Sequence, residues 1–203
     1  GIACLGQFEE HVAAPAVKNC TFLLNQAQSQ GAGLYKRGNC LAYRSFLIED
    51  CEFKDNYSFQ YGGGLAIINF AGNVDLKRNR FISDSSLISG GAVYFSTAYQ
   101  VEYLIDQCDF SYNTASSHGG AICRDDFPSG HPVIRIQNSN FYSNSAGGEG
   151  AGAFSSIAFG FFPEEQYFID NCRMENNSGG AINIITASGS SDVRIDRSYF
   201  YDN

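Results

Sequence analysis

The sequence predicts an all-β protein that folds as a right-handed parallel β-helix, or solenoid, of about six coils with roughly 30 residues per coil. The main observation is a short motif that recurs along the chain: an aromatic residue, an asparagine three positions later, and then a glycine pair. The composition agrees, because 22 Gly, 17 Phe and 12 Tyr with no Trp and one Met favour short strands and turns over helices.

The aromatic position of the motif is the most regular feature of the sequence. Consecutive copies are 31, 28, 29, 31, 33 and 26 residues apart, and the residues are Phe22, Phe53, Phe81, Phe110, Phe141, Met174 and Phe200. Like residues recur at such spacing when each coil stacks on the preceding one, with about 4.8 Å between strands. We therefore expect the Phe rings to stack in one column inside the solenoid.

A polar column follows the aromatic one. The residues three positions after each aromatic residue are Asn25, Asn56, Asp84, Asn113, Asn144, Asn177 and Asn203. Side-chain amides in such a column can hydrogen-bond to one another and satisfy the backbone of a bend. The sequence predicts a structural Asn ladder at one bend of the coil.

Glycines and aliphatic residues complete the repeat. Glycines that permit a tight corner occur at Gly31, Gly62, Gly90, Gly119, Gly150 and Gly179. Aliphatic residues five positions before the aromatic one are predicted to face the core: Ile48, Leu76, Ile105, Ile136, Ile169 and Ile195. A second apolar column is predicted after the glycines: Leu34, Leu65, Val93, Ile122, Ala153 and Ile182.

The repeat also divides the chain. Residues 1–17 match it poorly and are predicted to be an N-terminal cap or a degenerate coil, whereas residues 18–203 form the β-helix repeat domain, interpreted as a fragment of a longer chain. Segments that differ between repeats are predicted to be loops at the edges of the solenoid: 36–45, 96–102, 124–132 and 155–166. Specific recognition is expected in these loops.

The motif resembles a known repeat. Phe110 and Asn113 followed by Gly119-Gly120-Ala121-Ile122 are similar to the repeats of chlamydial polymorphic outer membrane proteins, as are Gly90-Gly91-Ala92-Val93 and Gly179-Gly180-Ala181-Ile182. The resemblance covers roughly residues 18–203, and related repeats occur in other secreted β-helix proteins. It implies a surface-exposed β-helical passenger, which in that family is an adhesin carried by a C-terminal membrane barrel.

Charge and hydropathy restrict the partners. A net charge of −8 argues against nucleic acid and against an anionic membrane surface. No apolar run reaches the roughly 20 residues of a membrane helix. We therefore expect no nucleic-acid partner and no membrane insertion by this segment, and we expect an extracellular or cell-surface location.

The seven cysteines do not have the spacing of a metal site, so no metal and no cofactor is expected. Cys20, Cys51, Cys108 and Cys172 each lie two positions before the aromatic residue, on its inward side, which is typical of buried thiols. Cys20 and Cys51 belong to consecutive coils, at a separation that permits a disulfide. The pairing of Cys4, Cys40 and Cys123 stays open.

Three N-glycosylation sequons are present, beginning at Asn19, Asn56 and Asn176. Asn56 belongs to the predicted Asn ladder and should be enclosed. Asn19 and Asn176 are the candidate glycosylation sites.

Two functions are compatible with this fold. The first is a non-enzymatic extracellular structural or adhesive protein, either a cell-surface adhesin or a filament component. It would self-associate head-to-tail or laterally, or bind a cell-surface or glycan partner. Aromatic residues expected in its loops include Tyr99, Tyr103 and the segment from Phe159 to Phe162.

The second is a polysaccharide-active enzyme or carbohydrate-binding module on a pectate-lyase-like β-helix, which would need converging carboxylates beside a basic group. Asp125-Asp126, His131, Arg135 and Gln137 resemble motifs of polygalacturonase-like enzymes, although Gln137 replaces a lysine. Three or more carboxylates converging beside a basic residue would favour this function over the first.

A column of acidic residues offers a further alternative. Asp106, Asp170 and Asp196 share one strand position with Glu49 and could bind a cation, but Lys77 and Gln137 interrupt the column. An outward polar face is the simpler interpretation.

Overall fold

A computed structural model describes residues 2–5, 16–38, 45–70, 72–96, 101–126, 132–148, 150–158, 165–186 and 191–203. Every regular secondary-structure element in these ranges is a β-strand. The strands form a parallel β-solenoid of about five coils with about 29 residues each, one coil fewer than the sequence predicts. The predicted fold class is confirmed.

Twenty-six strands form four parallel sheets. Sheet 1 contains β1 Ile2–Leu5, β5 Leu34–Arg37, β9 Leu65–Ile68, β13 Val93–Ser96, β17 Ile122–Asp126, β21 Phe154–Ala158 and β24 Ile182–Thr186. Sheet 2 contains β2 Ala16–Lys18, β6 Phe46–Glu49, β10 Val74–Lys77, β14 Glu102–Asp106, β18 Val133–Gln137, β22 Glu165–Asp170 and β25 Ser191–Asp196.

The remaining strands are shorter. Sheet 3 contains β3 Thr21–Leu23, β7 Glu52–Lys54, β11 Arg80–Ile82, β15 Asp109–Ser111, β19 Asn140–Tyr142, β23 Arg173–Glu175 and β26 Tyr199–Tyr201. Sheet 4 contains β4 Gln26–Ala27, β8 Tyr57–Ser58, β12 Ser85–Ser86, β16 Thr114–Ala115 and β20 Ser145–Ala146. Each full coil passes through sheets 2, 3, 4 and 1 in that order.

Aromatic stacking fills the core along sheet 3. The strand register places the motif aromatics directly above one another, and the ring centroids of Phe22, Phe53, Phe81, Phe110 and Phe141 are 4.6, 4.7, 4.9 and 4.7 Å apart in sequence order. Neighbouring rings are within 9° of parallel. Burying one such ring contributes about 2–3 kcal/mol, so the column is a major source of stability.

The aliphatic columns pack against these rings, with one shift from the prediction. Ile48, Leu76, Ile105 and Ile136 follow one another in register on sheet 2 and are buried. On sheet 1, however, Phe154 pairs with Ile122, so the predicted member Ala153 was wrong by one residue. The chain has one residue more between Gly150 and β21 than between Gly119 and β17, which moves the register.

Three corners shape each coil. The corner between sheets 2 and 3 and the corner between sheets 3 and 4 each place a non-glycine residue at positive φ, near 50° in every coil. These are Asn19, Asp50, Arg78, Gln107, Asn138, Asn171 and Arg197 at the first, and Leu24, Asp55, Ser83, Tyr112, Ser143, Asn176 and Asp202 at the second. Such residues occupy the left-handed region at a cost, so other contacts must fix them.

The third corner, before sheet 1, uses glycine. Gly31, Gly62, Gly90 and Gly119 have φ between 59° and 67°. A Cβ on Gly119 would lie 2.1 Å from the carbonyl oxygen of Ile122, and this distance is too short for any side chain. Of the predicted corner glycines, Gly150 is not among the positive-φ residues.

The strands of sheet 1 end at Arg37, Ile68, Ser96, Asp126, Ala158 and Thr186, and the strands of sheet 2 that follow them in the chain begin at Phe46, Val74, Glu102, Val133, Glu165 and Ser191. We call these strand ends the loop edge. The predicted loops 124–132 and 155–166 were partly wrong, because β17 continues to Asp126 and β21 covers most of 155–158. Tyr103, predicted in a loop, is buried in the core against Phe95.

Residues from the predicted N-terminal cap or degenerate coil also join the sheets. Ile2–Leu5 pairs with Leu34–Arg37 as the first strand of sheet 1. Tyr99 and the segment from Phe159 to Phe162 lie outside the described residues.

Candidate functional site

The second corner contains an amide ladder. At Asn144, Oδ1 accepts two hydrogen bonds from Asn113, from its backbone N at 3.1 Å and its Nδ2 at 2.9 Å. Its own Nδ2 donates to Asn177 Oδ1 and to the Phe110 carbonyl, both at 3.0 Å. Every amide hydrogen-bonding position of the side chain is therefore used. Asn25, Asn56 and Asn203 extend this arrangement along the stack.

Asp84 occupies one rung of this ladder. Its Oδ1 accepts from the backbone N and the Nδ2 of Asn56 at 2.9 and 2.8 Å, as an asparagine would. Its Oδ2 is buried and has no hydrogen-bond partner among the described residues. Burial raises the pKa of Asp84 to about 8, and the hydrogen bonds from Asn56 only partly oppose that effect.

The first corner contains a second ladder of mixed composition. The Cys51 amide donates to Asn79 Oδ1 at 2.9 Å, the Asn79 amide to Cys108 Sγ at 3.5 Å, and the Cys108 amide to Ser139 Oγ at 3.1 Å. Each side chain accepts one backbone N–H and donates to backbone carbonyls. The cysteines of this column were predicted as buried thiols and the ladder was not predicted, although Asn79, Ser139 and Ser198 share their position.

Cys20 and Cys51 are free thiols in the structure, and the disulfide between them stays a prediction. The Sγ of Cys20 donates to the carbonyl of Lys18 at 3.2 Å and that of Cys51 to the carbonyl of Glu49 at 3.2 Å. Each thiol therefore hydrogen-bonds to a backbone carbonyl of its own corner. Deeper in the stack, burial raises the pKa of Cys108 to about 12 and that of Cys172 to about 11, so both are held as unreactive thiols.

The candidate glycosylation residues lie at the two corners. Asn19 at the first corner and Asn176 at the second are exposed and at positive φ. Asn56 is 0% exposed and its Nδ2 donates two hydrogen bonds, so this sequon is closed to a glycan.

The residues of the alternative enzymatic site lie on different sheets and contact different side chains. Asp125 on sheet 1 is half-buried and accepts from the hydroxyl of Tyr94 at 3.4 Å, and burial raises its pKa. Arg135 on sheet 2 donates to Glu102 at 2.9 Å and lies 4.4 Å from the centroid of the Phe168 ring. Gln137 follows Asp106 in the sheet 2 register. His131 and the Asp126 side chain lie outside the described residues.

The acidic column is a paired surface. Glu49 contacts Lys18 at 2.7 Å and Arg78 at 2.6 Å, and these cations lower its pKa. Asp106 accepts from Asn138 at 2.8 Å. Asp170 and Asp196 pair with Arg197 and Arg194. No group of three His, Cys, Asp or Glu side chains in the described ranges could hold a metal ion, which agrees with an outward polar face.

A shallow cleft lies on the outer face of sheet 2. It has a volume of about 500 Å³ and is lined by Arg135, Phe168, Asp170, Arg194, Arg197 and their neighbours. Its charged side chains pair with one another or with Glu102. The cleft therefore presents neutralised polar groups beside one aromatic ring.

A buried polar network supports the loop edge. Arg124 on β17 donates to Glu165 on β22 at 2.9 Å, and their side chains are 1% and 3% exposed. Arg124 also donates to Ser156 at 3.0 Å and to Tyr167 at 3.1 Å, and Tyr167 donates to Glu165. The network ties together the strands from which residues 127–132 and 159–164 depart. The burial of Arg124 could have been predicted from the sequence, because Arg124 lies two residues after the inward Ile122 and therefore on the same face of the strand.

The geometry of one coil can now be compared with known proteins. Residues 107–123 match the Chlamydia polymorphic membrane protein repeat. This segment contains the first corner at Gln107, the second at Tyr112 and the glycine corner at Gly119. The matched repeat is therefore one coil's set of corners and core positions.

A longer similarity connects the chain with a curated protein. The chain is 25% identical over 183 residues, 90% of its length, to "Metabotropic glutamate receptor-like protein R" of Dictyostelium discoideum, and it spans 10% of that protein. No solved structure shows a significant match. In the part of the chain that the structure describes, no helix is long and apolar enough to cross a membrane.

Proposed function

We propose that this chain is an extracellular segment of a cell-surface protein, acting as a stiff, non-enzymatic β-solenoid that presents adhesive contacts. The observation that carries this proposal is the division between constant and variable parts of each coil. The aromatic column and both corner ladders repeat from coil to coil, whereas the loop-edge segments differ in length and composition. A regular interior with a variable edge is typical of repeat proteins that bind through their loops.

The comparisons support a surface location. The matched repeat comes from a family of polymorphic membrane proteins, and the Dictyostelium relative is named as receptor-like. Both descriptions fit a solenoid displayed outside a cell. The buried thiols and the exposed sequons at Asn19 and Asn176 are compatible with such a setting.

The loop edge is the proposed contact surface. The network of Arg124, Glu165 and Tyr167 fixes the strand ends beside residues 127–132 and 159–164. A buried ion pair of this kind gives little net stability, but it holds its strands in one arrangement. We propose that the segments joined to these strand ends contact a glycan, a surface protein or a second copy of this chain.

The partners of the acidic side chains support a non-enzymatic function. Asp125 accepts from Tyr94 on sheet 1, while Arg135 pairs with Glu102 on sheet 2. General acid–base cleavage of a polysaccharide requires two carboxyl groups on opposite sides of one bond. The acidic residues of the column on sheet 2 are instead paired with basic or amide side chains.

The test replaces residues 127–131 and 159–164 with Gly-Ser linkers of equal length, singly and together. Binding is measured on a glycan array and self-association by sedimentation velocity, with circular dichroism to establish that the coils stay folded. We expect the wild-type chain to bind or self-associate and the double variant to lose this without losing its fold. The control Arg80→Gln changes the outer face of sheet 3 and should bind normally. Binding unaffected by both linkers would refute the loop edge as the contact surface.

A separate arm tests catalysis. Purified chain is incubated with acidic polysaccharides, and reducing ends are measured for the wild type and for Asp125→Asn. We expect no cleavage by either protein. Cleavage by the wild type that disappears in the variant would overturn the non-enzymatic assignment.

A further inference from the structure

Asp84 is the one acidic residue in a column otherwise made of asparagine. The strand pairs on either side keep the same register through this position, and Asp84 Oδ1 accepts both hydrogen bonds from Asn56. Its backbone N donates to Asn113 Oδ1 at 2.9 Å, as the corresponding amides do elsewhere in the ladder. The backbone and Oδ1 therefore follow the asparagine pattern, and the difference is confined to Oδ2.

The other rungs show what the second side-chain atom must do. Nδ2 of Asn56, Asn113, Asn144 and Asn177 donates to the motif carbonyl of the preceding coil, at 2.9 to 3.1 Å. The acceptors are the carbonyls of Phe22, Phe81, Phe110 and Phe141. Each of these Nδ2 atoms also donates to the side-chain Oδ1 of the following rung. By the same register Asp84 Oδ2 therefore faces two acceptors, Asn113 Oδ1 and the carbonyl of Phe53. An ionised carboxylate has only acceptor oxygens and would meet this carbonyl without a proton between them.

Oδ2 has no access to water that could relieve this conflict. Asp84 is 0% exposed, and a Cβ built on Gly64 would lie 2.9 Å from Oδ2, so the glycine backbone closes over the oxygen. An ionised carboxylate buried without a compensating donor costs several kcal/mol. A protonated carboxyl group removes the charge and supplies the missing donor.

Among the described residues, no cation faces Asp84 to stabilise the charge. The charged group that raises the pKa of Asp84 is Asp55, at the second corner of the preceding coil. Inward neighbours on the adjacent strands and links are neutral: Phe53, Phe81, Phe110, Asn56, Asn113, Ser58, Ser86, Gly64 and Ala92. The titratable side chains of these strands, Glu52, Lys54, Tyr57, Arg80 and Asp109, lie at the partly or fully exposed positions between the inward ones.

We propose that Asp84 is a neutral carboxylic acid that donates from Oδ2 to the Phe53 carbonyl, and that loss of this proton breaks the amide ladder at one coil. The solenoid thereby contains a pH-sensitive joint between the coil of Phe53 and the coil of Phe81. Raising the pH loosens this joint and leaves the other rungs unchanged, because their amides do not titrate.

The direction of the effect follows from the two states of the carboxyl group. In the unfolded chain Asp84 has an ordinary pKa of about 3.9, whereas burial raises the pKa to about 8 in the folded protein. Between these values the folded protein holds a proton that the unfolded chain has released. The stabilisation is complete below about pH 4, decreases as the pH rises, and is lost above about pH 8. The unfolding constant should therefore rise by up to tenfold per pH unit over this window.

The test compares wild type with Asp84→Asn, which restores the amide and is expected to fold. Thermal unfolding is measured from pH 5 to pH 9, with Asp109→Asn as the matched control, since Asp109 is an exposed aspartate on the neighbouring strand. We expect Asp84→Asn to melt higher than wild type at pH 9, with the difference shrinking toward pH 5. Asp109→Asn should follow the wild type. Identical pH profiles for wild type and Asp84→Asn would overturn the proposal.

A direct measurement does not depend on unfolding. The Asp84 carboxyl carbon is followed by NMR in uniformly ¹³C-labelled folded protein, with the missing signal in Asp84→Asn providing the assignment. We expect the chemical shift of a protonated carboxyl group at pH 6, where exposed aspartates are ionised. Above pH 8, hydrogen exchange of the Asn56 backbone amide should accelerate in the wild type by more than the base-catalysed increase that Asp84→Asn shows. A carboxyl signal that titrates near pH 4 would contradict the proposal.

Discussion

The first and second corners of each coil have the same backbone conformation but different ladders. Gln107 at the first corner and Tyr112 at the second have φ values of 55° and 59°. At the first corner the ladder contains Cys108 and its neighbours Asn79 and Ser139. At the second corner it contains Asn113 and its neighbours Asp84 and Asn144. Thiol, hydroxyl and amide alternate at one corner, whereas the other is nearly all asparagine.

The number of hydrogen bonds explains the difference. At the first corner a side chain must accept one backbone N–H from the adjacent coil and donate to a carbonyl, which Cys, Ser and Asn can all do. At the second corner the side chain must accept two hydrogen bonds and donate two, as Asn144 does. Among the side chains of this column, only the amide meets all four. Variation is tolerated where the required bonding is simple.

The largest expected effect is the loss of one amide rung. Asn144→Ala leaves the backbone N of Asn113 without its acceptor and the Phe110 carbonyl without its side-chain donor. It also removes one of the two acceptors of Asn113 Nδ2, which keeps the Phe81 carbonyl. Buried unsatisfied groups cost roughly 1–3 kcal/mol each, so we expect a loss of about 4 kcal/mol in the free energy of unfolding. Urea denaturation measures it. The exposed Asn140→Ala, in the same coil, should change stability by less than about 0.5 kcal/mol.

A smaller effect is expected at the first corner, and it depends on the replacement. Cys108→Ala leaves the buried amide of Asn79 without its acceptor and should cost about 2 kcal/mol. Cys108→Ser keeps an acceptor and a donor, as Ser139 does in the next coil, and should cost less than about 1 kcal/mol. Urea denaturation of both variants checks this. Equal losses would show that the thiol acts only through its volume.

The smallest effect concerns the backbone that the corners share. Gln107→Asn and Tyr112→Asn each place asparagine where φ is positive, a conformation that it tolerates better than most residues. We expect the free energy of unfolding to rise by about 0.5 kcal/mol in each variant, as measured by thermal unfolding. The gain should be slightly smaller for Tyr112→Asn, because this variant loses the ring contact with Tyr142 at 5.5 Å. A gain at one corner and a loss at the other would show that their backbones are not equivalent.

The sequence predicts the features that depend on one residue type at a constant spacing. Phe110 recurs as Phe in both neighbouring coils, and Asn113 recurs as Asn at every position of its column except Asp84, so the solenoid and the core column follow from the pattern. The first-corner ladder was not predicted, because Asn79, Cys108 and Ser139 share a bonding pattern and not a residue type. The alignment of Ala153 failed for a related reason, since a single additional residue after Gly150 moved the register to Phe154.

The site-level expectations depended on long-range contacts that spacing does not specify. The disulfide between Cys20 and Cys51 was predicted from coil separation and stays a prediction; in the structure both thiols donate to backbone carbonyls. Arg124 was placed in a predicted loop, whereas its charge is buried against Glu165 from the following coil. The surface partner and the glycosylation of Asn19 and Asn176 stay predictions.

The same substitution made at both corners tests the hydrogen-bond explanation most directly. Asn79 and Asn113 are both 0% exposed, and Asn→Ser removes the same atoms at each. Serine at 79 can accept from the Cys51 amide as Ser139 accepts from Cys108, whereas serine at 113 cannot replace both donations of the Asn113 amide. We predict that urea denaturation shows Asn113→Ser to be about 2 kcal/mol more destabilising than Asn79→Ser. Equal destabilisation would contradict the account.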